Sequence, residues 1–168
     1  MSEAASNPDL ITVVCTANVC RSPMAASLLR HALAAEAEPL RSLQVESAGV
    51  SVHEGQPASD NSVRALKNVG IDLGNHRSQV LTPERIERSR LMLCMTESHR
   101  ALIELLYPNR QAPLKLFREL MEDPQPPEIP DPYGWPLVEY EAARDSMVEA
   151  IPSILDYLRA EVSGNGQA

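Results

Sequence analysis

Aromatic side chains, cysteine and long apolar runs are all scarce in this sequence of 168 residues. Aromatic residues make up 4% of it, and no run of 18 apolar residues occurs, so no segment predicts a membrane-spanning helix. The first residues also lack the basic stretch and apolar run of a secretory signal. Three cysteines are an odd number for a disulfide framework and suit a reducing compartment. We therefore expect a cytoplasmic protein that has no membrane partner.

Positive charge is scarce as well. Lys and Arg together number 15 against 23 Asp and Glu, which gives a net charge of −8 and a pI near 5.0. No Lys/Arg cluster offers the basic surface that nucleic acids require, so we expect no nucleic-acid partner. Any anion-binding site in this protein must therefore be local.

The length and the apolar content of 43% are typical of one globular domain. We place this domain at residues 10–161, because the sequence outside it shows no apolar periodicity. Residues 1–9 are predicted to form a disordered leader, and residues 162–168 a disordered polar tail.

Apolar runs of strand type alternate with segments of helical spacing along the domain. The patterns predict strands at 10–15, 43–48, 91–95 and 113–117, and helices from 23, over 59–69, from 83, from 96 and over 137–160. This alternation predicts a single-domain α/β fold, a three-layer αβα structure around a four-stranded parallel sheet. Ligands of such folds bind at the carboxyl ends of the strands.

The residues best suited to chemistry lie at such an end, in the stretch VVCTANVCRSP from Val13 to Pro23. A strand ends at Cys15, a loop closes at Arg21, and Ser22 with Pro23 begins a helix. The N–H groups of the loop and the positive end of the helix dipole create a site for an anion. Arg21 adds a planar set of charged donors that fits phosphate oxygens. The stretch therefore predicts a phosphate-binding loop directly after the first strand.

Cys15 is the candidate nucleophile of this loop, because helix N-termini and neighbouring Arg side chains stabilise a thiolate. A different interpretation stays open, namely a buried cysteine beside an unrelated surface arginine. Cys20 also has two interpretations: it forms a reversible disulfide with Cys15 that protects the nucleophile from oxidation, or the two thiols are independent. His53 and His99 are interpreted as surface histidines.

The segment CTANVCRSP resembles the signature loop of the low-molecular-weight protein tyrosine phosphatases, C-x-G-N-x-C-R-S, in its bacterial type. Further similar segments follow in family order: SAG from Ser47, NHRS around His76, and DPY from Asp131, so the resemblance covers residues 11–159. One residue differs, because Ala17 stands where the family usually has Gly. A Cβ there costs about 1 kcal/mol if the position needs a positive φ.

The resemblance implies a role for each residue of the predicted site. Cys15 is the nucleophile, Arg21 binds the phosphate, and Asp131 is the general acid and base, aimed by the prolines on either side of it. The phosphate-binding loop comprises Thr16, Ala17, Asn18, Val19, Cys20, Arg21 and Ser22, and its supporting residues are Ser22, Asn18, Ser47 and His76. Considered without the resemblance, Asp131 is interpreted as a turn residue, His76 as a solvated histidine and Ser22 as a helix cap.

Three activities are compatible with this scaffold. Tyr133 and Val19 offer an aromatic wall and an apolar edge for a phenyl ring, which favours phosphotyrosine in a protein or peptide, with inorganic phosphate as product. A bacterial branch of the family removes phosphate from arginine. Its members tend to carry Thr at the position of Val19, but the DPY followed by Gly134 also resembles that branch. Arsenate reduction is a minor alternative, since it needs two further cysteines and only Cys94 is in a plausible place. We expect a monomer that needs no metal and no cofactor.

Overall fold

Four buried runs form one parallel sheet in the computed structural model, which describes residues 8–165. The sheet has the order β2-β1-β3-β4, and every neighbouring pair is parallel. The strands are β1 (Leu10–Cys15), β2 (Gln44–Gly49), β3 (Ser89–Cys94) and β4 (Leu114–Leu116). The predicted α/β class and the four-stranded parallel sheet are confirmed; β1 has the predicted ends, and the ends of the other strands differ by one or two residues.

Five α-helices are found in residues 8–165, together with a short 3-10 turn at Leu40–Ser42. They are α1 (Arg21–Ala34), α2 (Asp60–Lys67), α3 (Pro83–Arg88), α4 (Glu97–Leu106) and α5 (Leu137–Asn165). Threonine side chains cap two of them, since the hydroxyls of Thr82 and Thr96 accept the amides of Arg85 and His99. Among these helices none has both the length and the apolarity that crossing a bilayer requires.

The ends of the chain differ in part from the prediction. Helix α5 runs to Asn165, so the prediction of a disordered tail is wrong for residues 162–165. Its apolar face is long enough to keep it packed on the domain beyond residue 160, with Leu158 buried and Val162 against the core. Pro8 and Asp9 are exposed, while residues 1–7 of the predicted leader and 166–168 of the predicted tail lie outside the described residues.

Side chains of the central strand β1 alternate between two cores, as the period of a strand requires. Ile11, Val13 and Cys15 belong to the larger core, which α1 and α5 cover. Val14 belongs to the smaller core on the other face, beneath α3 and α4. Because Cys15 pairs with Gly49 at the carboxyl end of the sheet, the loop that follows Cys15 lies beside the end of β2.

Candidate active site

The loop between β1 and α1 turns on one residue with a left-handed backbone. Asn18 has a φ of 60°, and among residues 8–165 it is the only residue other than glycine whose φ is positive. Asparagine tolerates this conformation better than most residues. Ala17 is exposed and does not share it, so the conditional strain predicted for a side chain at Ala17 does not arise.

The thiol of Cys15 lies at the end of a directed chain of hydrogen bonds. The Asn18 side-chain amide donates to Ser22 Oγ over 2.8 Å, and Ser22 Oγ lies 2.9 Å from Cys15 Sγ. Because Ser22 Oγ already accepts a hydrogen from Asn18, its own hydrogen is free to point to the sulfur. Cys15 is buried at the amino end of α1, with the Ser22 hydroxyl on its sulfur.

Asn18 is itself held from three sides. Its side-chain amide also donates to Ser47 Oγ over 2.9 Å, and its Oδ1 accepts the backbone amide of Gln79 over 2.9 Å. Its carbonyl oxygen lies 2.7 Å from His76 Nε2. A carbonyl can only accept, so His76 Nε2 carries the hydrogen. Burial lowers the pKa of His76, which keeps the ring neutral at neutral pH.

The end of β2 packs against the loop so closely that only glycine fits there. A Cβ on Gly49 would lie 2.5 Å from the Thr16 carbonyl oxygen and 3.1 Å from the Asn18 nitrogen. The backbone amides of Val50 and Ser51 donate to the carbonyls of Cys15 and Thr16 over 3.1 and 3.0 Å. The small residues at the end of this strand therefore allow its backbone to approach the loop closely.

Arg21 joins the loop to the segment that carries Asp131. It is 5% exposed, and its Nη1 donates to the Ile129 carbonyl over 3.0 Å. The amide of the fully buried Ile129 donates to the Met95 carbonyl over 3.0 Å, which fixes this segment to the end of β3. The other end of the guanidinium, Nη2, lies 3.7 Å from Asp131 Oδ2. The flanking prolines are therefore not the only restraint on Asp131, because Ile129 anchors the chain just before it.

Asp131 and Tyr133 lie at the mouth of a cavity of about 320 Å³ above the loop. Asp131 accepts the Tyr133 amide over 3.1 Å, and their exposed fractions are 54% for the carboxylate side chain and 70% for Tyr133. The cavity brings together the candidate nucleophile Cys15, the Arg21 guanidinium and the Asp131 carboxylate. It is lined by Cys15, Thr16, Ala17, Asn18, Val19, Cys20, Arg21, His53, Gln56, Asp131 and Tyr133. His53 and Gln56 were missed, because they lie in a loop without any motif.

The other two cysteines have different surroundings. The Cys20 thiol donates to Ser59 Oγ over 3.3 Å, and burial raises its pKa. Cys94 lies in the smaller core, on the face of the sheet away from Cys15, and burial raises its pKa to about 12. A thiol in that place faces away from the catalytic cavity, which removes the observation that made arsenate reduction plausible.

His99 is not the surface histidine that the sequence suggested. It is 6% exposed, and its Nε2 lies 2.9 Å from Thr16 Oγ1 in the loop. Its position follows from α4, which begins at the carboxyl end of β3, the edge of the sheet where Cys15 also lies. The predicted parallel sheet, with α4 beginning after β3, was therefore the sequence feature that could have placed His99 near the loop.

A buried thiol at a helix amino end, with an arginine and a carboxylate lining its cavity, is typical of cysteine-dependent phosphatases. The comparison with known proteins identifies which of them. The chain belongs to the low molecular weight phosphotyrosine protein phosphatase family, because the profile of that family matches residues 10–164. This confirms the resemblance found in the sequence, and the chain is accordingly a phosphatase.

Relatives with two different names align along most of the chain. A protein-arginine-phosphatase of Geobacillus stearothermophilus is 36% identical over 92% of this chain and 99% of its own length. A probable low molecular weight protein-tyrosine-phosphatase, EpsP, of Ralstonia nicotianae is 32% identical over 89% of this chain and 96% of its own. Among solved structures, the YwlE arginine phosphatase from Geobacillus stearothermophilus superposes with a TM-score of 0.78 at 34% identity, covering 92% of this chain and 95% of that chain.

Proposed function

We propose that this protein hydrolyses phosphotyrosine in proteins through a phosphocysteine intermediate on Cys15. The observation that supports this most is the chain of hydrogen bonds that ends on the Cys15 sulfur, inside the cavity that Arg21 and Asp131 also line. A nucleophile, an anion clamp and a proton donor are the three groups that the transfer of a phosphoryl group requires.

In the first step the Cys15 thiolate attacks phosphorus, and the bond between phosphorus and the phenolic oxygen breaks. Asp131, as a carboxylic acid, gives its proton to that oxygen, so tyrosine leaves as a neutral phenol. The loop amides and the Arg21 guanidinium bind the three remaining oxygens.

In the second step Asp131, now a carboxylate, takes a proton from a water molecule. The water oxygen attacks phosphorus, the bond between phosphorus and sulfur breaks, and the products are inorganic phosphate and the Cys15 thiolate. Ser22 stabilises this thiolate as a leaving group through its hydroxyl. The cycle returns Asp131 to its protonated form, and it uses residues of this chain and water.

Two features of the cavity mouth support a phenyl ring as the leaving group. Tyr133 presents an exposed aromatic ring, and the half-buried Val19 offers an apolar contact on the loop. Among the described residues that line this cavity, Asp131 carries the carboxylate, and no second carboxylate is at hand to pair with a guanidinium. An aromatic leaving group therefore fits the cavity better than a cationic one.

Phosphoarginine is the second candidate, because the relative that is 36% identical is named a protein-arginine-phosphatase. The segment from Asp131 to Gly134 also resembles that branch. The chain differs from it at Val19, which lacks the hydroxyl of the usual threonine.

Rates measured side by side on phosphotyrosine and phosphoarginine peptides of one sequence test the proposal. We expect the larger kcat/KM on phosphotyrosine, and no turnover of either peptide by the Cys15→Ser variant. A larger kcat/KM on phosphoarginine would show that phosphoarginine, and not phosphotyrosine, is the preferred substrate. Phosphate release that persists in Cys15→Ser would contradict the mechanism itself.

The other expectations from the sequence remain proposals. We propose that the protein acts as a monomer in the cytoplasm on phosphorylated proteins, without nucleic-acid or membrane partners. The three cysteines are free thiols, which suits a reducing compartment.

A further inference from the structure

His99 lies on helix α4, yet it contacts the catalytic loop, which comprises residues 15–22. It is the third residue of α4, it is 6% exposed, and its Nε2 lies 2.9 Å from Thr16 Oγ1. Its other ring nitrogen, Nδ1, is buried and has no hydrogen-bond partner among residues 8–165. A buried histidine with a single partner on the catalytic loop calls for an explanation.

The unpartnered nitrogen determines which form of the ring is present. A hydrogen on Nδ1 would bury an N–H group without an acceptor, close to the charged Arg21, and this is costly. Burial, followed by the charge of Arg21, lowers the pKa of His99 to about 4, although Asp131 and Glu128 oppose this shift. His99 is therefore neutral at neutral pH, and a hydrogen on Nε2, donated to Thr16 Oγ1, is the arrangement that leaves no buried N–H group unpaired.

A hydroxyl that accepts from His99 keeps its own hydrogen for another acceptor. Thr16 follows the nucleophile directly and lines the cavity above it, while its carbonyl is held by the Ser51 amide. We propose that His99 is a positioning residue, which holds the Thr16 hydroxyl as a hydrogen-bond donor to the bound phosphoryl group. This inference rests on the proposed phosphatase function.

His99 and His76 hold two residues of the loop, Thr16 and Asn18, in different ways. His76 donates to a backbone carbonyl, so it supports the course of the loop. His99 donates to a side-chain hydroxyl that still has a hydrogen to give, so it sets the direction of a donor inside the cavity. Only the second arrangement depends on a side chain that can contact substrate.

Four variants test the proposal: Thr16→Val, His99→Leu, His99→Gln and the double variant Thr16→Val with His99→Leu. Valine removes the hydroxyl and keeps the shape of Thr16, while the amide of Gln presents an N–H near the place of Nε2. His31→Gln is the matched control, because His31 is exposed on α1 and takes no part in the site. The measurements are kcat and KM on p-nitrophenyl phosphate, inhibition by inorganic phosphate, and the urea midpoint of each variant.

We expect Thr16→Val and His99→Leu each to lower kcat/KM about tenfold and to weaken phosphate inhibition, the cost of one lost hydrogen bond. In the Thr16→Val background, His99→Leu has no further effect on kcat/KM if His99 acts only through this hydroxyl. His99→Gln restores most of the activity. The proposal is wrong if the two losses of kcat/KM multiply in the double variant. It is also wrong if His99→Gln has no larger kcat/KM than His99→Leu. If His99→Leu fails to fold, the Thr16→Val and His99→Gln results decide alone.

Nitrogen-15 NMR of the His99 ring gives a readout that needs no turnover. We expect a protonated Nε2 and an unprotonated Nδ1 from about pH 6 to about pH 8. A proton on Nδ1 would refute the inference even in a fully active enzyme. If wild-type protein releases no phosphate at all, the proposed function fails, whereas the ring assignment still tests the orientation of His99.

Discussion

The two segments that meet over the cavity are held in opposite ways. The catalytic loop, residues 15–22, is buried at Cys15, Asn18 and Ser22, and hydrogen bonds reach it from β2, from the segment before α3 and from α4. The acid loop, residues 123–136, is anchored at Ile129 and is open beyond it, with Tyr133 and Trp135 exposed by 70% and 63%.

This difference matches what each segment has to bind. The phosphoryl group is the same in every substrate, so its donors gain from being held in place before it arrives. The leaving group belongs to a protein and varies in its surroundings, so the segment that meets it is exposed. The anchor at Ile129 keeps Asp131 within reach of Arg21 without burying it.

Replacing Cys15 tests the catalytic loop. We expect Cys15→Ser to lower kcat by roughly a thousandfold or more, because a serine hydroxyl does not ionise where a thiol does. The urea midpoint should stay close to that of wild type, since the two side chains have similar shapes. Phosphate release from p-nitrophenyl phosphate measures the effect, and turnover near the wild-type rate would refute the assignment of Cys15.

Replacing the acid tests the open segment. We expect Asp131→Asn to lower kcat roughly a hundredfold on phenyl phosphate and less on p-nitrophenyl phosphate, whose leaving group needs little protonation. Wild-type activity should follow a bell-shaped pH profile, because one group must be ionised and one protonated, and the variant should lose the limb at high pH. Equal losses on both substrates would argue against a role as proton donor.

Filling the space beside Gly49 tests whether the catalytic loop depends on the end of β2. We expect Gly49→Ala to destabilise the protein by about 1–3 kcal/mol and to reduce activity, because the new Cβ would overlap the Thr16 carbonyl. Gly164→Ala, in open space on α5, is the control and should not destabilise it. Urea unfolding compares them, and an unchanged midpoint for Gly49→Ala would show that the loop can move away.

Buried neutral histidines make the support of the catalytic loop sensitive to acid. His99 has a pKa of about 4 in the folded protein, below its ordinary value, so the unfolded chain takes up the proton first as pH falls. Its contribution to stability is thus present above about pH 6.5 and is lost as pH falls towards 4. Between about pH 7 and pH 5 we expect wild type to lose about 1–2 kcal/mol more than His99→Gln. Urea titrations at the two pH values measure this, and an equal loss of stability in wild type and His99→Gln would contradict it.

The smallest effect concerns the choice of substrate at the edge of the loop. We expect Val19→Thr to raise the rate on phosphoarginine relative to phosphotyrosine by a few fold, since a hydroxyl replaces a methyl group at the cavity with little change of shape. Val69→Thr, on the exposed surface, is the matched control. The ratio of the two kcat/KM values measures the effect, and a constant ratio would mean that Val19 does not take part in selection.

Sequence patterns predicted the strands, their parallel arrangement and the loop after β1, because these depend on short-range periodicity and on a motif of a few residues. The same patterns did not reveal His99, which meets Thr16 across 83 positions, or the bond of Arg21 to Ile129 across 108 positions. The face of the sheet on which Cys94 lies also had to come from the structure.

The sequence by itself determined the class of this protein: a strand that ends at a cysteine, a loop that closes at Arg21 and is short enough to bind one tetrahedral anion, and a helix that follows it directly. Tertiary structure alone decided how the loop is held and which form its histidines take. Parallel strands bring distant segments to one edge of a sheet, and the hydrogen-bond partners that a ring meets there decide which of its nitrogens carries a hydrogen.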